Sequence, residues 1–169
     1  MMADLPDVNV QPGQLYLARS PMVLQTILGS CVGITFRSAR LGAAALCHGV
    51  LPECPRGSMP PDGYRYVDFS IRYLASQFDA LGASRQELEI KVFGGADVLP
   101  VSAVQSGKAT VGDQNRRAAL RILEEEGLRV SASDLGGLRG RTIRFDTESG
   151  EVLVHRLHAL GGKHRRSKA

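Results

Sequence analysis

Two apolar runs rich in β-branched residues, Val32 to Phe36 and Gly42 to Val50, flank Arg37-Ser38-Ala39-Arg40-Leu41, and that pattern predicts a β-hairpin. Upstream, residues 14 to 18 and 22 to 28 read as strands separated by Arg19-Ser20-Pro21. Downstream, Ile71, Leu74, Phe78 and Leu81 recur at helical spacing, with Asp68 expected as the N-cap and Gly82 as the stop. Leu88 to Phe93 alternates apolar with charged residues, as a strand does, and runs into Gly94-Gly95. A second helix is expected from an Asp113 cap through Glu126, with Ala119, Ile122 and Leu123 on its apolar face. Leu128 to Ser133 then returns as a strand, making a crossover unit if it runs parallel to the strand before the helix. A final hairpin joins Arg141–Asp146 to Glu151–Leu157 about the turn Thr147 to Gly150.

Strands early and late with two main helices between them place the chain in the α+β class, a single layered domain with mixed or antiparallel sheets. The expected organisation is an N-terminal extension over 1–11, the domain over 12–157 and a basic, disordered tail over 158–169. Two segments carry no regular pattern. Residues 52–63 hold four prolines and two glycines and read as a loop leaving the His48 end of the hairpin, placed to wall a site there. Residues 96–112 contain Ser106-Gly107-Lys108-Ala109-Thr110, which imitates a phosphate loop; Ser102 and Ala109 stand where that loop needs a glycine and a hydroxyl, so nucleotide binding is rejected.

Charge alters the picture little. Lys163, Arg165, Arg166 and Lys168 account for the whole net charge of +4, leaving a near-neutral body without an aromatic platform or groove-reading motif, which argues against specific nucleic-acid binding. No apolar run reaches the ~20 residues of a transmembrane helix, and the N-terminus lacks a signal-peptide pattern, so a cytoplasmic location is expected. Three cysteines, an odd number, fit free thiols in a reducing compartment.

The hairpin carries the chemistry. If Ser38 to Leu41 form a four-residue loop, Arg37 faces Gly42 and Cys31 falls directly opposite His48, where side chains of an antiparallel pair lie ~5 Å apart at Cβ. A slip of one residue would put them on opposite faces. A thiol beside an imidazole can attack an acyl carbon, the ring taking the proton and returning it to the leaving group. A free cysteine, with a pKa near about 8.5, needs such a neighbour at neutral pH. Gly29 and Ser30, just before Cys31, offer an uncrowded backbone for oxyanion stabilisation, Gly29 by lacking a Cβ. A third group should hold the imidazole; Thr26 is the nearest hydroxyl in the preceding strand and Ser30 is its rival. Cys47, adjacent to His48, should point to the opposite face as a small core residue. A metal or interaction module using Cys31, His48 and Cys54 is the competing reading, with irregular ligand spacing against it.

Gly29-Ser30-Cys31-Val32 followed by His48-x-x-Leu51-Pro52 resembles the signature of the CheD chemoreceptor glutamine deamidases. The resemblance continues through Lys91-Val92-Phe93-Gly94-Gly95-Ala96, Gly112-Asp113-Gln114-Asn115 and Asp134-Leu135-Gly136-Gly137-Leu138-Arg139-Gly140-Arg141, covering about residues 12–157 in order. It implies a layered α/β architecture and hydrolysis of glutamine side-chain amides in methyl-accepting chemotaxis receptors. Cys31 would be the nucleophile, His48 the proton shuttle and Thr26 its orienting partner, with neither metal nor organic cofactor needed. A phosphatase of the CheC type is a partner that the resemblance also implies. Asp113-Gln114 departs from the Glu-Arg of many relatives.

Overall fold

Strand β5 (Ala43–Gly49) is buried along its whole length because other layers cover both of its faces. The computed structural model describes residues 2–98 and 109–158. One sheet has the order β2 (Leu15–Ala18), β5, β4 (Val32–Ser38), β6 (Glu89–Gly94), β7 (Val130–Leu135). The other has the order β1 (Asp7–Asn9), β3 (Val23–Leu28), β8 (Arg141–Asp146), β9 (Val152–Arg156). Helices α1 (Val67–Ala80) and α2 (Val111–Glu125) cover the outer face of the five-stranded sheet. The class is α+β with mixed sheets, and β6 and β7 are parallel with α2 between them in the chain.

Side-chain alternation divides β5 between two cores. Ala43, Ala45 and Cys47 join Ile71, Leu74, Phe78, Ala119 and Ile122 beneath the helices. Ala44 and Leu46 join Leu24, Leu28, Ile143 and Phe145 between the sheets. Phe36 stacks on Phe78 at 5.9 Å between ring centroids, tying β4 to α1. Each such fully buried side chain contributes about 1.5–3 kcal/mol, so both layers stiffen the strand that carries His48. Gly49 lets α1 close onto this strand end: a Cβ there would lie 2.6 Å from Val67 Cγ2.

Four expectations need correction. The hairpin does have a four-residue loop, but it spans residues 39–42, with Ser38 facing Ala43, Arg37 facing Ala44 and Gly33, not Cys31, facing His48. Gly42 has φ +58°, a left-handed conformation that glycine adopts without strain, so it belongs to the loop. The register therefore moves by two residues, and two is one full side-chain period: Cys31 stays on the His48 face, diagonal to it.

Asp68 is not a cap. Tyr66 precedes α1, and Asp68 Oδ1 accepts from the N–H groups of Phe69 at 2.7 Å and Cys54 at 2.9 Å, pinning the loop to the helix. Nor does Asp113 cap α2; Thr110 Oγ1 accepts from the Asp113 N–H at 3.0 Å, and the Asp113 carboxylate pairs with Arg116 and Arg117. An acid in the first turn still complements the helix dipole there. Residues 7–9, expected as extension, form β1 parallel to β3.

The 52–63 loop packs on α1 beside an open cleft of roughly 460 Å³ lined by Cys54, Pro55, Ser58, Asp68, Phe69 and Tyr73 among others, with neither Cys31 nor His48 in its lining. The phosphate-loop look-alike, save Ala109 and Thr110, and the basic tail beyond residue 158 lie outside the described residues. No helix among the described residues is long and apolar enough to cross a membrane.

Candidate active site

His48 closes the inter-sheet face of β5 and is buried to 1% exposure. Across the layer, Thr26 of β3 places Oγ1 2.7 Å from His48 Nδ1. The same hydroxyl lies 2.6 Å from the Val10 carbonyl oxygen. A hydroxyl has one hydrogen to give, and a carbonyl can only accept, so Thr26 donates to Val10 and accepts from Nδ1–H. That network fixes the imidazole tautomer and leaves Nε2 with a lone pair. Nε2 is buried and has no hydrogen-bond partner among the described residues.

Thr26 thus meets His48 from the opposite sheet, whereas Ser30 engages through its backbone carbonyl. Cys31 lies in the bend before β4, half-buried, with its side chain against the inter-sheet core. Burial pushes its thiol up from the ordinary cysteine value, with its own backbone N–H pulling the other way. Burial likewise lowers the His48 pKa, partly offset by the Val10 carbonyl. Both shifts favour the neutral form of the group.

The carbonyls of the 29–31 bend are all engaged. Gly29 O accepts from Ala96 N–H at 2.9 Å and Cys31 O from Gly95 N–H at 2.8 Å. Ser30 O accepts from Asn115 Nδ2 at 3.0 Å. Among the described residues, the N–H groups of Ser30 and Cys31 donate to no backbone carbonyl. Gly94 and Gly95 have φ +97° and +61°, and a Cβ on Gly94 would collide with the Cys31 carbonyl oxygen. Gly112 permits a similar approach: its Cβ would strike the Ala96 carbonyl. Gly29 is different, because a Cβ there would meet Val98 methyls at an ordinary 3.6 Å. The steric demand for glycine lies on the loop supporting the bend, not at Gly29.

A buried guanidinium braces the turn that follows β7. Arg141 is fully buried, bonds to the carboxylate of Asp134 and to the carbonyl oxygens of Asp134 and Gly136, and holds the 134–140 turn. Gly140 brings that turn against Leu28 and Gly29.

The described residues include no group of three or more His, Cys, Asp or Glu side chains placed to share a metal ion. Cys47 sits in the helix-side core and Cys54 beside Asp68, so neither joins Cys31 and His48. Sequence reasoning did not identify Val10, whose contribution is a carbonyl at the end of an unrecognised strand, or Asn115 as a contact of the site.

The family described as CheD, chemotactic sensory transduction, matches residues 50–156. A Geobacter sulfurreducens protein named probable chemoreceptor glutamine deamidase CheD 2 is 42% identical, over 91% of this chain and 92% of that one. Proteins named probable chemoreceptor glutamine deamidase CheD from Rhodospirillum rubrum and Maridesulfovibrio salexigens are 36% and 38% identical, over 96% and 92% of this chain and 92% and 94% of theirs. With the family match across more than half of its length and these relatives across nine-tenths of it, the chain belongs to the CheD family.

Proposed function

We propose that this protein is a chemoreceptor glutamine deamidase in which Cys31 is the nucleophile, His48 the general base and acid, and Thr26 the residue that orients His48. The observation that carries the reading is the hydrogen-bond chain from Nδ1 of His48 through Thr26 to the Val10 carbonyl, which leaves Nε2 as a base. The lowered His48 pKa keeps that base unprotonated at neutral pH.

As Cys31 Sγ attacks the carboxamide carbon of a glutamine side chain, its proton passes to Nε2, which has no other hydrogen-bond partner among the described residues. The oxyanion that develops faces the Ser30 and Cys31 N–H groups, with Gly29 and Ser30 as backbone support held from behind through their carbonyls. The carbon–nitrogen bond breaks, Nε2 returns the proton to nitrogen, and ammonia leaves a thioester. Water then attacks, Nε2 takes its proton, and glutamate and the free thiol are released. Conversion of a neutral amide to a carboxylate would alter receptor charge and so tune chemotactic signalling. A CheC-type phosphatase is the regulatory partner that membership of the family suggests.

The test is incubation of cytoplasmic fragments of the cognate receptors with wild type, C31A and H48A, read by peptide mass spectrometry. Conversion of specific glutamines by wild type alone is the expected result. Absence of conversion with wild type across those receptors would leave a receptor-binding protein without this activity.

A further inference from the structure

Asn115 stands in the first turns of α2, is fully buried, and reaches out of the helical layer to the chain just before β4 and just after β5. Its Nδ2 lies 3.0 Å from the carbonyl oxygen of Ser30 and 3.0 Å from that of Val50. Ser30 immediately precedes Cys31, and Val50 follows His48 by two residues. Two carbonyls can be answered only by donors, so the amide orientation is fixed: both N–H groups are spent on these partners. The remaining atom, Oδ1, is buried with no partner among the described residues.

The placement is specific to the site. Extension of the β4–β5 register by one residue beyond Val32 and Gly49 sets Cys31 level with Val50, at the open end of the hairpin where ladder pairing stops. One carboxamide bridges the two chain ends there. We infer that Asn115 is a positioning residue for the proposed Cys–His chemistry, fixing the separation of Cys31 and His48 by clamping the Ser30 and Val50 carbonyls together. The inference rests on the deamidase reading but concerns a residue outside the triad. The clamp also turns the Ser30 carbonyl toward α2, which directs the next peptide N–H, that of Cys31, away from Asn115. Alanine removes both donors. Aspartate keeps the shape but, when ionised, sets a carboxylate against two carbonyls; protonated, it can donate to one of them.

The test measures how far His48 governs Cys31, which needs no receptor. Rates of iodoacetamide modification at Cys31 are resolved by peptide mass spectrometry for wild type, H48A, N115A and N115A/H48A at pH 7, with circular dichroism to establish folding. Wild type is expected to react about tenfold faster than H48A, and N115A to lose most of that factor, so that adding H48A to N115A changes little. N115D should behave as N115A at pH 7 and recover part of the His48 dependence on acidification, a signature that loss of packing would not give. On a receptor fragment, N115A should lower kcat with KM within about twofold of wild type.

Full His48 dependence in folded N115A overturns the inference while leaving the deamidase reading in place. Absence of any His48 dependence in wild type removes both the base role of His48 and the inference. Failure of both N115A and N115D to fold would make Asn115 a residue of the fold alone and overturn it as well.

Discussion

Cys47 and His48 are neighbours on one strand and each is 1% exposed, yet their surroundings are opposite. Cys47 faces the helix-side core, among Ile71, Phe78 and Ala119, where burial pushes its thiol up to about 12. His48 faces the layer between the sheets, where Thr26 reaches across and the Val10 carbonyl closes the chain of hydrogen bonds. Burial alone therefore does not define a residue's surroundings. A one-residue step along β5 is enough to change from apolar packing to a hydrogen-bonded imidazole. The comparison extends to the cysteines: Cys31 is half-buried on the His48 face, Cys47 sealed on the other.

The largest expected effect comes from removing the proposed nucleophile. C31A should reduce deamidation by about 10³-fold or more with the fold intact, as measured by ammonia release from a receptor fragment and by thermal unfolding. Next comes the support behind the thiol. G94A forces a side chain onto a residue with φ +97° and against the Cys31 carbonyl, so it should cost about 2 kcal/mol of stability and about 10²-fold in kcat by displacing the bend. Urea denaturation and turnover on one preparation separate the two losses; a variant with wild-type values of both would show that Gly94 is not a constraint.

T26V removes the hydroxyl between Nδ1 and the Val10 carbonyl. The expected outcome is a fall in kcat of about 10²-fold with KM unchanged and recovery in T26S, read by steady-state kinetics. Equal activity of T26V and wild type would sever the two sheets' cooperation at His48.

His48 also links stability to pH. Its folded pKa lies below its unfolded value, so its unfolded form binds the proton first as pH falls. Its contribution to stability is whole above the unfolded pKa of about 6.5 and is lost as pH drops from there through the folded value. Urea midpoints taken across that window should fall in wild type and fall less in H48Q. The smallest effect belongs to the inert face: C47A should lower stability by about 1 kcal/mol and leave turnover unchanged.

Much of this contrast was legible in the sequence, for reasons that particular residues make plain. Strand alternation puts Cys47 and His48 on opposite faces whatever the pairing, and a register error of two residues keeps Cys31 with His48. The apolar stripe of α1 and the two hairpins follow directly from periodicity. Helix starts were harder to place, because Thr110 and Asp113 both suit a helix N-terminus and only the hydrogen bond from Asp113 N–H to Thr110 Oγ1 decides between them. Val10 acts through a carbonyl, which side-chain patterns do not advertise, and it is positioned by a three-residue strand too short for a visible period. Asn115 meets Ser30 and Val50 across 85 and 65 residues of chain, contacts that only the tertiary fold creates.

That Cys31 alone of the three cysteines carries the acyl group is tested most directly by trapping. Wild-type protein is mixed with a receptor fragment, quenched in acid within the first turnover, and its cysteine peptides resolved by mass spectrometry. A thioester on the Cys31 peptide, absent from the Cys47 and Cys54 peptides and from C31A, is the predicted result. Glutamate formation by C31A, or an acyl group on Cys47 or Cys54, would contradict it.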